Sequence, residues 1–181
     1  GASDELIHEA GLYADRLSVN LEIPSERSLK KVAPEKNYKD VYQPMNYLTS
    51  AIDGYKKEKK VIKSAPKFTP AGQSTQMVIG ATPENDLHVL NLANDLYKDQ
   101  KLRRVYYSGY IPISEDNRLP ALKQAPLIRE NRLYQSDWLM RFYGFKVDEI
   151  VDIKHPDLDL EVDPKMAYAL RNPHLFPVDI N

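Results

Sequence analysis

The first strand of the chain is marked by regular alternation of apolar and polar residues. Between residues 16 and 23 every second position is apolar, and a period of two predicts a β-strand. Its apolar positions are Leu17, Val19, Leu21 and Ile23, and its polar positions are Ser18, Asn20 and Glu22. Ser25 can then cap a short helix before Pro34, and a long amphipathic helix follows from Tyr38 to about Tyr55. Pro44 is expected to kink or divide that long helix.

Two further strands and the helix between them form the clearest unit. Residues 75–80 and 103–111 are rich in β-prone residues. Between them Thr82 is a suitable N-cap, with Pro83 at the first helical position and apolar residues at helical spacing after it. A strand, a helix and a strand in this order form a right-handed crossover, which requires parallel pairing. The chain is therefore predicted to be an α/β domain with parallel strands.

Beyond the third strand the pattern becomes helical. A helix is predicted over residues 126–143, with Gly144 as its stop, followed by a short helical turn from Val147 and a small helix over residues 164–171. Four acids alternate with apolar residues before that last helix: Asp157, Asp159, Glu161 and Asp163. They are expected to face solvent, because the glycine and spacing of a calcium loop are missing. No two histidines have metal-ligand spacing, so no metal-binding residue is predicted.

Composition excludes several chemistries and names no partner. The 181 residues carry 25 basic and 26 acidic side chains, a net charge of −1 that gives no electrostatic sign of a nucleic-acid partner. The absence of cysteine excludes disulfides, cysteine-ligated zinc and iron–sulfur ligation by this piece of chain. The sequence also lacks a membrane-spanning apolar stretch and a signal peptide, so a cytoplasmic location is expected. Its ends, without an initiator Met or a closing element, are typical of a fragment.

Polar residues gather at the carboxyl ends of the predicted strands, where parallel α/β folds bind ligands. They are Asn20, Glu22 and Ser25 after the first strand, Gly80, Ala81, Thr82 and Glu84 after the second, and Ser108 and Tyr110 on the third. These residues either contact a ligand or serve as helix caps and solvent-facing groups, and the pattern leaves both open.

Cations and aromatics interleave in the second half of the chain. They are Arg118, Lys123, Arg129, Arg132 and Arg141, together with Tyr134 and Trp138. Such a mixture suits contacts with a phosphate backbone and stacking on bases, and it equally describes an exposed helix face with its aromatics in the core. The six lysines between residues 56 and 67 are expected to be a solvated helix end and surface loop.

Longer segments resemble one known family. They are residues 14–26, 33–36, 70–81, 104–108 and 129–139. They resemble the later barrel portion of radical S-adenosylmethionine (radical SAM) enzymes, most closely the DNA modification or repair radical SAM proteins associated with uracil-DNA glycosylases. The resemblance extends over about residues 5–181.

The resemblance implies a partial (β/α)6 barrel, in which a CxxxCxxC loop after the first strand binds a [4Fe-4S] cluster. Reductive cleavage of S-adenosylmethionine then yields a 5′-deoxyadenosyl radical. Because this chain has no cysteine, the cluster loop and early strands would lie upstream, so the fragment would be inactive and hold no metal on its side chains. Residues 5–113 would be the C-terminal portion of the barrel. Residues 114–181 would be a helical extension leading to a missing helix-hairpin-helix module.

The same resemblance implies residues that contact S-adenosylmethionine. They are Asn20, Glu22 and Ser25 in the fourth-strand region, Gln76, Val78, Gly80, Ala81 and Glu84 in the fifth, and Tyr107 and Ser108 in the sixth. The fifth-strand pattern G-x-I-x-G-x-x-E is altered here, since Gln76 replaces the first glycine, Val78 replaces the isoleucine and the acid comes one place late.

Three hypotheses of function follow. The first is a fragment of a radical SAM enzyme that modifies or repairs nucleic acid, most simply DNA, held by Arg118, Arg129, Arg132 and Arg141. The second is a non-catalytic α/β module that binds nucleic acid through the same arginines, and the third is a structural scaffold. If the early strands are missing, one sheet edge is unpaired, which predicts self-association or a covering helix there.

Overall fold

Three parallel strands organise the part of the chain that a computed structural model describes, namely residues 2–113, 117–120 and 125–175. The strands are β1 (Leu17–Ser18), β2 (Gln73–Ile79) and β3 (Arg104–Gly109). They lie in the order β1-β2-β3, and both neighbouring pairs are parallel. The predicted α/β class and the parallel crossover between the second and third strands are confirmed.

Helices account for most of the remaining described chain. They are α1 (Asp4–Tyr13), α2 (Glu26–Val32), α3 (Tyr38–Val61), α4 (Asp86–Asp99), α5 (Leu127–Tyr143), α6 (Val147–Ile150) and α7 (Pro164–Arg171), followed by a 3-10 turn at Pro173–Leu175. Ser25 caps α2 as predicted, accepting a hydrogen bond from the Ser28 N–H, and Gly144 ends α5 in the left-handed conformation. Among these described helices none has the length and apolar character needed to cross a membrane.

The long third helix is continuous. Of the two outcomes predicted at Pro44, a kink or a division of the helix, the division does not occur. α3 runs for 24 residues with Pro44 inside it. Proline removes one backbone hydrogen bond from a helix interior. Buried side chains on the same helix, Met45, Leu48 and Ile52, follow the proline and pack into the core. Their burial holds the helix together across the break in its hydrogen-bond ladder.

The fourth helix begins three residues later than predicted. Its N-cap is Asn85 rather than Thr82, and the Asn85 side chain accepts a hydrogen bond of 2.9 Å from the His88 N–H. Asparagine is preferred over threonine at the N-cap. Thr82 lies in the loop before the helix, where its hydroxyl helps to lower the pKa of Glu84.

The main core lies on one face of the sheet. Met77 of β2 and Val105 of β3 join a single buried cluster with Met45 of α3 and Leu90 of α4. α3 and α4, which lead into β2 and β3, therefore pack on the same face of the sheet, while α2 packs through Leu29 in a smaller cluster with Ile23 and Ala81. The strands follow one another across the sheet in sequence order.

The outer edge of β3 is sealed by side chains instead of another strand. Alternate backbone N–H groups of β3 point away from β2. They donate to side chains of α4 and α5: Val105 N to Tyr97 Oη (3.0 Å), Tyr107 N to Tyr134 Oη (2.9 Å) and Gly109 N to Glu130 Oε2 (2.6 Å). The Tyr134 hydroxyl also donates to the Tyr107 carbonyl at 2.9 Å. This edge has no donor left for an additional strand at these three positions.

A buried ion pair fastens α5 to the start of α4. The Arg129 Nε donates to Asp86 Oδ1 at 2.7 Å, and its Nη2 donates to the Glu84 carbonyl at 2.7 Å. The other Asp86 oxygen accepts from the Leu158 N–H at 2.9 Å. Burial raises the pKa of the Asp86 carboxyl, and the Arg129 guanidinium opposes that rise. One carboxylate thus joins α4, α5 and the loop before α7.

Removing the arginine of this pair should destabilise the fold strongly. We expect Arg129→Met to lower the free energy of unfolding by about 3 kcal/mol, because it leaves the carboxylate of Asp86 buried without its counter-ion. Urea unfolding followed by circular dichroism measures the loss. Arg27→Met, at an exposed site on α2, serves as the matched control and should change the free energy by less than about 0.5 kcal/mol. Equal losses in the two variants would contradict the role of the pair.

Removing one hydroxyl from the sealed edge should also be costly. Tyr134→Phe deprives the Tyr107 N–H and carbonyl of their partner, so we expect a loss of about 1–3 kcal/mol in the free energy of unfolding. Tyr143 lies at the end of the same helix with 61% of its surface exposed, and Tyr143→Phe should be close to neutral. If Tyr134→Phe proves as stable as the native chain in urea unfolding, the edge does not depend on this hydroxyl.

Candidate functional site

The face of the sheet opposite the core is polar. Strand register places Ser18, Ser74 and Arg104 in one row, Gln76 beside Tyr106 in the next, and Val78 beside Ser108 in the last. Alternate side chains of a strand share a face, so these residues lie opposite Met77 and Val105 of the core. A sheet face that carries hydroxyl, amide and guanidinium groups is suited to hydrogen bonding with a ligand.

Arg104 is one of two cations at this polar face, and the other, Arg16, donates to the Tyr106 hydroxyl at 3.4 Å. The guanidinium carbon of Arg104 lies 5.5 Å from the ring centroid of Tyr106 and 5.5 Å from that of Tyr134. Its Nε is buried and has no hydrogen-bond partner within the described chain. An unpaired buried donor is costly, and an acceptor on a ligand would satisfy it. Arg104 is not among the site residues predicted above, although the period-two pattern of β3 places it on the same face as Ser108.

A bulge ends the first strand. Ser18 pairs with Ser74 and Glu22 with Met77, so four steps along the first strand match three along β2. The Leu21 N–H donates to the Thr75 hydroxyl at 3.0 Å in place of a carbonyl. The predicted strand over residues 16–23 is therefore shortened, because the extra residue breaks the ladder.

A tight turn follows the bulge. Glu22 has a φ of 65°, and the Ile23 N–H donates to the Leu21 carbonyl at 2.9 Å. This three-residue turn is a rare and strained conformation for a residue other than glycine. It carries the chain over the carboxyl edge of the sheet. Ile23 therefore leaves the face of Leu21, contrary to the predicted alternation, and packs with Leu29 in a separate cluster.

A groove of about 670 Å³ runs along the free edge of β1. Its lining includes residues 18–22, the start of α1 and the connection from α2 to α3. Asn20 accepts a hydrogen bond of 2.8 Å from the Ser18 hydroxyl, and Glu22 pairs with Lys36 at 2.8 Å. The hydrogen bond that Lys36 donates to Glu22 raises the pKa of Lys36. Since the Val19 N–H donates to β2, the backbone groups of its two neighbours point toward the groove.

A second carboxylate organises the carboxyl edge of the sheet. Glu84 Oε1 accepts hydrogen bonds from the hydroxyls of Ser25 and Ser28, which join the start of α2 to the loop after β2. Burial opposes ionisation of Glu84, but these hydroxyl donors and that of Thr82 outweigh it and lower its pKa. Ser25 and Glu84 are thus bonded to each other, while Glu84 Oε2 is buried without a partner in the described residues.

The remaining residues expected to contact S-adenosylmethionine lie in different surroundings. Ala81 is buried in the small cluster of Ile23 and Leu29, and Val78 packs against that cluster. Gly80 adopts a φ of 88° at the end of β2. Tyr107 is buried on the core face, so it does not share a face with its neighbour Ser108. The polar face therefore brings together Gln76 and Ser108 of the predicted set, with the groove holding Asn20 and Glu22.

The four arginines expected to bind nucleic acid are each bonded within the protein. Arg118 donates to the Val32 carbonyl, Arg129 to Asp86, Arg132 to the carbonyls of Asp159, Leu160 and Glu161, and Arg141 to Asp137 and the Arg103 carbonyl. Trp138 is 50% exposed and Tyr134 packs against the core, so the alternative with both aromatics in the core fails for Trp138. Lys123 and the segment at residues 177–181 lie outside the described residues.

The site offers hydrogen-bonding groups and two cations, Arg104 and Arg16. The described residues include no cluster of three histidine, aspartate or glutamate side chains that could hold a metal ion. The acids before α7 bond to backbone groups, as Asp159 does with the N–H groups of Glu161 and Val162. The arrangement can form hydrogen bonds with a polar ligand, and its guanidinium groups can pair with an anionic one.

Comparison with protein-family models, with curated proteins and with solved structures gives no match to this chain. The functional assignment consequently depends on the residues and geometry described above.

Proposed function

We propose that this chain is the C-terminal part of a radical SAM partial barrel, and that the polar sheet face is the inner wall of that barrel. The observation that carries the proposal is the layering of the sheet, with strands in sequence order, α3 and α4 on one face and polar side chains on the opposite face. Of the segments that resemble radical SAM enzymes, residues 14–26, 70–81 and 104–108 include the three strands, residues 129–139 lie on α5, and residues 33–36 lie in the connection from α2 to α3.

The two sheet edges support the proposal independently. A partial barrel has a last strand that needs no partner, and here β3 has its outward N–H groups bonded to Tyr97, Tyr134 and Glu130. The other edge, at β1, borders an open groove toward which backbone groups point. Earlier strands of a barrel would add at that edge. Without them, the same edge is where we expect self-association.

The residues on the polar face fit S-adenosylmethionine, the organic cofactor of the proposed enzyme. The buried, unpaired Nε of Arg104 suits a carboxylate, while Gln76 and Ser108 offer hydrogen bonds to hydroxyl or amine groups. This chain supplies no ligand to the iron–sulfur cluster, because it contains no cysteine. When bound, the cofactor supplies the radical, and the residues of this chain hold its organic part and limit access of water.

The alternative of a module that binds nucleic acid through its arginines gains no support from their positions. Each of the four is already bonded to a carboxylate or a carbonyl within the protein. Releasing Arg129 or Arg141 would leave Asp86 or Asp137 buried without its counter-ion. Within the proposed function, contacts with nucleic acid must then come from another surface.

The proposal is tested on the protein encoded by the complete reading frame. We expect that frame to contain CxxxCxxC before the present residue 1. After anaerobic reconstitution with iron and sulfide and subsequent reduction, we expect the protein to release 5′-deoxyadenosine from S-adenosylmethionine, measured by liquid chromatography. A reading frame without the motif, or a protein that binds iron and S-adenosylmethionine without cleaving it, would refute the enzymatic assignment.

Replacing Arg104 on the polar face should weaken the binding of S-adenosylmethionine. In the same reconstituted protein, Arg104→Gln removes a charge-assisted hydrogen bond of about 1.5–3 kcal/mol, so we expect the Kd for S-adenosylmethionine to rise at least about tenfold. Equilibrium dialysis measures the Kd, and thermal unfolding checks the fold.

The matched control for this replacement is Arg27→Gln on the exposed surface of α2. This variant should leave the Kd unchanged. If Arg104→Gln binds the cofactor as tightly as the control does, the cofactor does not contact Arg104.

A further inference from the structure

The net charge of −1 conceals a strongly basic cleft. Lysines line a depression of about 520 Å³ at the carboxyl-terminal end of α3. Its lining comprises Asp53, Lys56, Lys57, Lys59, Lys60 and Lys101. Lys101 lies between α4 and β3, so the cleft is built from two separate segments of the chain. Five cations and one carboxylate thus converge at the edge of the sheet where β3 begins.

Two of the five lysines have partners inside the protein. Lys101 donates to Asp53, and Lys59 donates to the carbonyls of Lys63 and Ala65 at 2.5 and 2.6 Å. Lys56, Lys57 and Lys60 form no hydrogen bond or ion pair with the described residues, and all three are exposed. The cleft therefore retains three exposed ammonium groups without a direct ion pair beside two that are fixed, and the charges of Lys56 and Lys57 contribute, after Lys101, to the lowered pKa of Asp53.

Helix stability does not account for this arrangement. Lysines in the last turn of a helix interact favourably with its dipole, and here that turn contains Lys59 and Lys60. Lys56, Lys57 and Lys101 lie outside it. Lys56 and Lys60 are also four residues apart on one helix, a spacing at which like charges repel. An anion bound between them would relieve that repulsion.

We propose that this lysine cleft binds the phosphodiester backbone of a nucleic acid. The choice of nucleic acid as the partner rests on the proposed function, which needs a surface for nucleic acid other than the four arginines. Lysine binds phosphate as a point charge and imposes no base preference. A concave surface with cations from two segments fits a narrow polyanion better than it fits a flat lipid bilayer.

The test measures binding of the 181-residue chain to a fluorescein-labelled 20-nucleotide single strand and to a 20-base-pair duplex, by anisotropy at several salt concentrations. We expect binding that weakens steeply with salt. The triple variant K56Q/K57Q/K60Q should bind at least tenfold more weakly. The magnitude of its slope of log K against log salt should be lower by about 2 to 3, since each lost phosphate contact contributes roughly 0.7–0.9 to that slope.

A matched variant separates the cleft from overall charge. K31Q/K39Q/K154Q removes three exposed lysines elsewhere, and we expect it to bind like the native chain. Equal weakening by both triple variants, absence of binding, or binding to phosphatidylserine vesicles without binding to DNA would overturn the proposal. Because this assay contains neither S-adenosylmethionine nor an iron–sulfur cluster, its failure is distinguishable from failure of the radical assignment.

Discussion

A three-stranded parallel sheet has two edges, and the hydrogen bonding of those edges constrains the rest of this structure. Backbone groups at a buried edge must find partners, because leaving them unpaired costs free energy comparable to a lost hydrogen bond. At β3 the partners are the hydroxyls of Tyr97 and Tyr134 and the carboxylate of Glu130. These side chains must be held in place to serve as a substitute strand. That requirement explains why α4 and α5 are fixed to each other so firmly.

The supports of the sealed edge form one connected network. Tyr97 donates to the buried carboxylate of Asp137, which also pairs with Arg141 at 2.7 Å. Farther along α5, Arg129 pairs with Asp86 at the start of α4. Two arginines of α5 therefore have the same role, because each neutralises a carboxylate that would otherwise be buried without a counter-ion. Their engagement in the fold is the physical reason why cations on this helix are poor evidence for a nucleic-acid surface.

Most of the secondary structure could be predicted from local sequence rules. The predictions failed where contacts between distant parts of the chain determine the backbone conformation. The caps at Ser25 and Gly144 were predictable, since each depends on a few neighbouring residues. The bulge before Glu22 was not, because it depends on the Thr75 hydroxyl from another strand. The polar face could not be predicted from the sequence for a related reason. Its rows are set by register between strands, and the sequence alone reveals only the alternation within each one.

The geometry of the sheet also relates the two proposed binding surfaces. The lysine cleft borders the beginnings of the strands, whereas Glu22 and Glu84 lie where the strands end. β2 has seven residues, and at roughly 3.3 Å per residue it separates these edges by about 23 Å. Consecutive nucleotides of a stacked strand are about 3.4 Å apart, so about seven nucleotides bridge that separation. A nucleic acid anchored at the proposed lysine cleft would therefore reach the carboxyl edge of the proposed cofactor face, at Ser108, with a nucleotide about seven positions away. Arg104, in the first row of that face, follows Lys101 of the cleft by three residues, so the cofactor proposed to contact it would lie between the anchor and that distant nucleotide.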